Sequence, residues 1–183
     1  MNIPNAITIL RVLLVPFLLY FLLRGEFREA LWVLLAAGIS DALDGVIARR
    51  FNMMTELGAL LDPLADKILI IASVLALAST GLLPRWLAAL IILRDLIIMG
   101  GATAYYLRAG RLQLVPTIPG KANTFVLICT ILFVLVTAAG LAHPTAWLPL
   151  LFGCSFITTI FSGVHYVVVW GQKAANIRVK GEG

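Results

Sequence analysis

From residue 6 to residue 170 the chain alternates long apolar runs with short polar breaks. A helix needs ~20 residues to cross a bilayer, and each run has about that length, while the breaks are too short to hold a further domain. The runs cover 6–23, 30–48, 57–79, 86–107, 123–140 and 146–170. They predict an all-α integral membrane protein of six transmembrane helices, built as one domain over 1–183 with a polar, frayed tail over 171–183. Composition closes off the soluble alternative: 61% of residues are hydrophobic and 13% charged, whereas soluble domains are roughly 45–50% apolar. No internal repeat is evident.

Against that background four carboxylates stand out, Asp41, Asp44, Asp62 and Asp66. A charged side chain at membrane depth costs several kcal/mol, on the order of 3 by insertion measurements, so it marks function by default. At ~100° per residue, Asp44 and Ala48 lie roughly 60° and 20° to one side of Asp41, and Gly45 lies about 40° to the other. One helix face thus carries two acids beside two small residues. Asp62 and Asp66, four apart, are neighbours on the next helix, with Gly58 one turn earlier. Four clustered acids without matching bases would repel one another. Hard divalent cations remove that repulsion, and an oxygen-only donor set suits Mg²⁺, Mn²⁺ or Ca²⁺ rather than zinc.

The rest of the chain is read around this cluster. Pro4 and Asn5 suit a helix start, and Asn5, Thr8 and Arg11 are candidate site contacts, Arg11 being equally able to snorkel toward lipid phosphates. Residues 1–9 lack the basic region and cleavage site of a secretory signal, so the first run is expected to be retained. Pro16 is an expected kink. Pro63 lies near enough to a helix start to be tolerated. Cys129 and Cys154 sit in apolar runs and read as small packing residues rather than a disulfide pair. His143 and His165 have no metal-ligand company and read as hydrogen-bonded structural residues. The formal charge of +5 is too small and scattered for nucleic-acid binding. It follows topology instead: alternate breaks place Arg49, Arg50, Arg108, Arg111, Lys121, Lys173, Arg178 and Lys180 on one side and Arg24, Arg28 and Arg85 on the other. The richer side is cytoplasmic by the positive-inside rule. Both termini and the opening of the acid cluster are then cytoplasmic.

Residues 41–66 match Asp-x2-Asp-Gly-x2-Ala-Arg-x8-Gly-x3-Asp-x3-Asp at every fixed position, and the chain resembles the CDP-alcohol phosphotransferase family on that motif. The resemblance implies that a CDP-linked lipid, CDP-diacylglycerol, loses CMP as its phosphatidyl group passes to an alcohol. It implies Asp41, Asp44, Asp62 and Asp66 as ligands of two divalent cations, Mg²⁺ or Mn²⁺, with Asp66 also the general base. A pair of such ions ~3.5–4 Å apart would neutralise pyrophosphate and stabilise the leaving group. Gly45, Ala48 and Gly58 would let the CDP moiety approach the backbone, and Arg49 would pair with phosphate, whereas Arg50 reads as a membrane anchor. A homodimer in a bacterial inner membrane is implied on the same ground.

A second group of cations, Arg94, Lys121, Arg108 and Arg111, is the candidate acceptor-phosphate site, since Arg suits bidentate phosphate recognition. Asp95 is expected to point away from Arg94 toward another partner. The opening Asn-Ile-Pro-Asn-Ala-Ile-Thr resembles family members that use glycerol 3-phosphate, the first-choice acceptor. Arg94-Asp95, the Pro116 to Thr124 passage and Gly171-Gln172-Lys173 resemble members that use phosphatidylglycerol to make cardiolipin, the second. The competing class is a small ion or proton-coupled transporter, which would show flux without CMP release. A purely structural membrane subunit would not accumulate four acids at helix depth.

Overall fold

A computed structural model describes residues 3–51, 56–109, 117–142 and 145–181, with side chains at 10–40, 65–101, 103, 117–142 and 145–169. Six α-helices follow in order: α1 Ile3–Arg24, α2 Phe27–Phe51, α3 Glu56–Ser79, α4 Arg85–Ala109, α5 Ile118–Ala138 and α6 Leu148–Gly181. A single 3-10 turn, Thr145–Trp147, precedes α6. There is no strand among the described residues, as the apolar runs predict. Residue 118 to the end of α5, and 145–169, are long and apolar enough to cross a bilayer.

Two boundaries differ from expectation, each for a local reason. Residues 171–181, expected to fray, continue α6. Their polarity marks a change of surroundings, not a loss of helix propensity, since Gln, Lys, Ala and Arg are good helix formers. Pro119, Gly120 and Lys121, expected in a loop, form the first turn of α5. Proline is harmless there because the first N–H groups of a helix have no intrahelical acceptor. Pro16 lies inside α1, and the helix continues through it.

The chain divides into two compact units, Met1–Arg85 with Ile131–Thr145, and Trp86–Thr130 with Ala146–Gly183. In the first unit α1 packs on both α2 and α3. Its buried stripe is Arg11, Val15, Leu18 and Leu22, the spacing of one helix face. On α3 the buried positions include Ala65, Leu69, Ala72, Ser73, Ala76 and Leu77; the small side chains let neighbouring backbones approach, the device by which helices associate in lipid. α1, α3 and α5 end alike. Gly25, Gly81 and Gly140 take φ values of 76°, 78° and 69°, and the following residue's N–H reaches back to Phe21, Leu77 and Val136 respectively. That closure needs a left-handed residue, hence glycine.

In the second unit α4 buries Leu87, Ala88, Ile91, Arg94, Asp95 and Ile98. This is again a single helix face, but it carries an ion pair at its centre. α6 turns Ser155, Thr159 and Ser162 inward while Phe156, Ile157, Ile160, Phe161, Val164, Val167 and Val168 stay exposed. Contiguous exposed hydrophobics on this scale are a liability in water and the expected outer face in lipid. The pairings fix direction. Asn123 meets Thr159 and Thr130 meets Ser155, so α5 and α6 are antiparallel. Trp86 meets Phe156 edge-on at 5.6 Å and Arg94 meets Ser162, so α4 and α6 are parallel. Cys129 and Cys154 are both free thiols; Cys154 is exposed rather than packed, because it falls on the outer face of α6.

Candidate active site

Asp41, Asp44, Gly45, Ala48 and Arg49 lie on α2, and Gly58, Asp62 and Asp66 on α3. The helices that carry the four acids therefore both pack on α1. Of these side chains only Asp66 is among those described; Asp41, Asp44, Arg49 and Asp62, like Asn5 and Thr8 on α1, lie outside them. Among the described residues there is no group of three or more His, Cys, Asp or Glu able to hold a metal ion.

Asp66 is positioned by Arg11. The Arg11 Nη1 donates to Asp66 Oδ1 across the α1–α3 contact. The two partners differ sharply in exposure, 1% for the arginine side chain and 45% for the aspartate. Arg11 therefore does not snorkel to the lipid phosphates. It sits on the packed stripe of α1 and reaches a half-exposed acid. Lys67, the next residue on α3, is half-buried.

Of the second group, Arg94 and Lys121 lie in the other unit on α4 and the first turn of α5, whereas Arg108 is fourteen residues along α4 from Arg94, about 21 Å at 1.5 Å per residue. The Arg94 Nη1 donates to Asp95 Oδ1 at 2.6 Å and its Nη2 to Ser162 Oγ on α6. The guanidinium carbon lies 5.8 Å from the centre of the Tyr166 ring, within reach of a cation–π contact. Asp95 is thus the partner of Arg94, contrary to the expectation that it points elsewhere. Adjacent helix positions do diverge by ~100°, but the long arginine stem curls back and overrides that phase. Both side chains are buried, so pairing offsets a desolvation penalty that either would suffer alone.

Arg94 also lies against the start of α5. A Cβ at Gly120 would stand 3.1 Å from Thr117 Oγ1, 3.3 Å from Tyr166 Cε2 and 3.6 Å from Arg94 Nη2. Only glycine leaves room for all three. Thr117 caps the helix: its Oγ1 accepts from Gly120 N at 3.3 Å and its carbonyl from Lys121 N at 3.1 Å. The remaining first-turn N–H groups and the positive end of the helix dipole favour an anion here. Lys121, on this same turn, is exposed. Arg108 is helical with its side chain outside those described, and Arg111 lies outside the described residues altogether.

The depth of Arg94 follows from the register. α4 continues fifteen residues past Arg94 to Ala109, and α6 fifteen past Tyr166 to Gly181, each about 22 Å at 1.5 Å per residue. α5 begins near this level. Arg94 therefore sits well inside α4, fifteen residues before its end.

Sequence reasoning missed Ser162, Tyr166, Gly120 and the Thr117 cap. A signal for the first was present: Ser155, Thr159 and Ser162 recur at helical spacing inside an apolar run. His165 differs from expectation as well, since its buried Nδ1 has no hydrogen-bond partner among the described residues, and Arg94 Nε and Asn123 Nδ2 share that state.

Comparison with known proteins brings in the same chemistry. The family model for CDP-alcohol phosphatidyltransferase matches residues 1–168. The chain is 37% identical to a Drosophila melanogaster protein named as a probable CMP-forming cardiolipin synthase, over 72% of this chain and 46% of that protein. It is 35% identical to a Mycobacterium tuberculosis protein named as a probable phosphatidylglycerophosphate synthase, over 91% of this chain and 80% of the other. With the CMP-forming cardiolipin synthase of Streptomyces coelicolor it shares 36% identity, over 92% and 82%. The chain thus spans less than half of the fly protein and about four fifths of the two bacterial ones.

Proposed function

The chain belongs to the CDP-alcohol phosphatidyltransferase family, and from that premise we propose that it transfers the phosphatidyl group of CDP-diacylglycerol to a glycerol-type hydroxyl, releasing CMP. The observation that carries the reading is the placement of Asp41 and Asp44 on α2 and of Asp62 and Asp66 on α3, two helices that share α1 as a packing partner. In this reading the acceptor oxygen attacks the phosphorus that bears the diacylglycerol, the bond to CMP breaks, and the hydroxyl proton passes to Asp66. Arg49, and the gaps at Gly45, Ala48 and Gly58, hold the CDP moiety.

The donor set is all oxygen and fits hard divalent cations. Asp41, Asp44, Asp62 and Asp66 would hold two of them, Mg²⁺ or Mn²⁺. Bound there, the cations supply charge neutralisation for the pyrophosphate and the departing CMP. The protein's own work is to hold the acids on two helices and to place the acceptor.

Of the two acceptors, the arrangement around Arg94 supports phosphatidylglycerol, giving cardiolipin. Arg94 is paired with Asp95 and Lys121 is exposed on the first turn of α5, and in this reading the two would meet the single charge of a phosphodiester. The exposed apolar faces of α4 and α6 give acyl chains a path to the same place. Glycerol 3-phosphate is the second reading, and the alignment with the Mycobacterium protein over 91% of the chain favours it. We propose a six-span chain with both termini and the active site cytoplasmic, supported by the Lys/Arg asymmetry between alternate breaks; the homodimer and the bacterial inner membrane are proposed from the resemblance to the family. The test is turnover of CDP-diacylglycerol with each acceptor supplied alone, with CMP and lipid products followed separately.

A further inference from the structure

Two buried hydrogen-bond donors in the second unit have no partner among the described residues, Arg94 Nε and Asn123 Nδ2. Arg94 is 9% exposed and Asn123 0%. Such groups call for an acceptor that the chain itself does not supply. They belong to one place. Asn123 Oδ1 accepts from Thr159 Oγ1 at 3.0 Å and Arg94 Nη2 donates to Ser162 Oγ, so both side chains reach α6 at positions about 4.5 Å apart along its axis. Asn123 follows Gly120 by one turn of α5, and a helical side chain leans over the turn on its N-terminal side. Here that is the Gly120 turn, where a Cβ would stand 3.6 Å from Arg94 Nη2. On α6, a Cβ at Gly163 would stand 3.4 Å from Arg94 Cγ. With one branch of the Asn123 amide held by Thr159, the Nδ2 branch is left for the Arg94 side. A tie between α5 and α6 does not need it: Thr130 and Ser155 join the same helices and satisfy one another.

We infer that Asn123 is a specificity-determining residue of the acceptor site, its Nδ2 donating together with Arg94 Nε to oxygens of the acceptor's phosphate. Both nitrogens can only donate, and the anionic oxygens of a phosphate monoester or diester only accept. Arginine supplies the charged contact. Asn123 adds a neutral donor beside it, at a position where a carboxylate would repel the same group. This role rests on the proposed placement of the acceptor beside Arg94.

The experiment uses the full chain in detergent with CDP-diacylglycerol and Mg²⁺, and with phosphatidylglycerol or glycerol 3-phosphate as separate acceptors. Wild type is compared with Asn123→Asp, Asn123→Ala, Arg94→Ala and Ser155→Ala. Asn123→Asp keeps the shape and the oxygen that Thr159 engages, but puts negative charge where a donor stood. Its KM for whichever acceptor wild type uses should rise about ten- to a hundredfold, the scale of a lost hydrogen bond to a charged group. KM for CDP-diacylglycerol should hold. Asn123→Ala loses the donor without gaining a charge and should show a smaller rise in the same constant; if Asn123→Asp does not fold, this variant decides. Ser155→Ala breaks another buried bond between α5 and α6 and should leave both KM values alone. An unchanged acceptor KM in the folded Asn123 variants would overturn the inference, as would failure of both to fold. So would equal rises in both KM values with a lowered melting temperature, which would mark a helix tie whose spare donor holds buried water. Failure of the underlying reading looks different: wild type would release no CMP with either acceptor, or Arg94→Ala would leave the acceptor KM unchanged.

Discussion

Gly120→Ala separates stability from function. The added methyl would stand 3.1 Å from Thr117 Oγ1 and 3.3 Å from Tyr166 Cε2, closer than side chains comfortably pack. Two terms act on the fold. Replacing glycine by alanine in a helix gains ~1 kcal/mol, while displacing the Thr117 hydroxyl from Gly120 N forfeits an N-cap contact of ~1 kcal/mol. These nearly cancel, and the melting temperature should move by only a few degrees. Function has no compensating term. Tyr166 and the Arg94 Nη2, 3.6 Å from the same methyl, must shift, and an acceptor phosphate gripped there loses up to one charge-assisted hydrogen bond. That contact is worth ~1.5–3 kcal/mol, or roughly ten- to over a hundredfold in apparent affinity. The assay is CMP release in mixed micelles, with acceptor and CDP-diacylglycerol varied separately. The acceptor KM should rise while that for CDP-diacylglycerol holds. Gly153→Ala, whose methyl would meet nothing within 4 Å, serves as control. An unchanged acceptor KM in Gly120→Ala, with the protein folded, would refute the placement of the acceptor beside Arg94.

Three further outcomes are expected. Asp44→Asn should abolish CMP release in the folded protein, and EDTA should do so reversibly in wild type, with Mg²⁺ restoring turnover; retained activity in Asp44→Asn would remove the two-cation reading. Ser155→Ala removes the 2.8 Å contact with Thr130, an interhelical bond worth ~0.6 kcal/mol in membranes. It should lower the melting temperature slightly and leave kcat and both KM values alone, which a thermal scan and a steady-state assay would check. In a variant with Cys129 and Cys154 replaced, a cysteine at Lys173 should react with an impermeant maleimide only from the cytoplasmic side, and one at Arg28 only from the opposite side; the reverse pattern would invert the topology.

Residues 41–66 illustrate what the sequence made legible. The spacing of the acids places two on each of adjacent helices without any knowledge of packing, and the helices form where the apolar runs lie. The family followed from the same residues. The Arg94 region was only half legible. Its cations were visible as residue types, yet helical phase alone put Asp95 on the wrong side of Arg94, since a phase argument ignores the reach of a long side chain. The N-terminus of α5 was hidden because Pro119 and Gly120 carry loop statistics, and only the Thr117 hydroxyl and the orphan N–H groups of a first turn reconcile them with a helix. The tail was misjudged because polarity was read as disorder. Arg11 was visible but ambiguous, as a lone arginine near a helix start reads equally well as a lipid anchor, and only its burial and its bond to Asp66 decide.

The account's central claim is phosphatidyl transfer from CDP-diacylglycerol to a glycerol-type hydroxyl, and product mass tests it most directly. Purified protein in detergent would be given CDP-diacylglycerol, Mg²⁺ and, in separate reactions, phosphatidylglycerol, glycerol 3-phosphate and a panel of other alcohols. The account predicts CMP released in step with a four-chain phospholipid when phosphatidylglycerol is the acceptor. A phosphatidylglycerophosphate product from glycerol 3-phosphate alone would keep the reaction and reverse the acceptor. No CMP and no new lipid with any glycerol-type alcohol, from folded protein that responds to neither Mg²⁺ nor Mn²⁺, would contradict the claim itself.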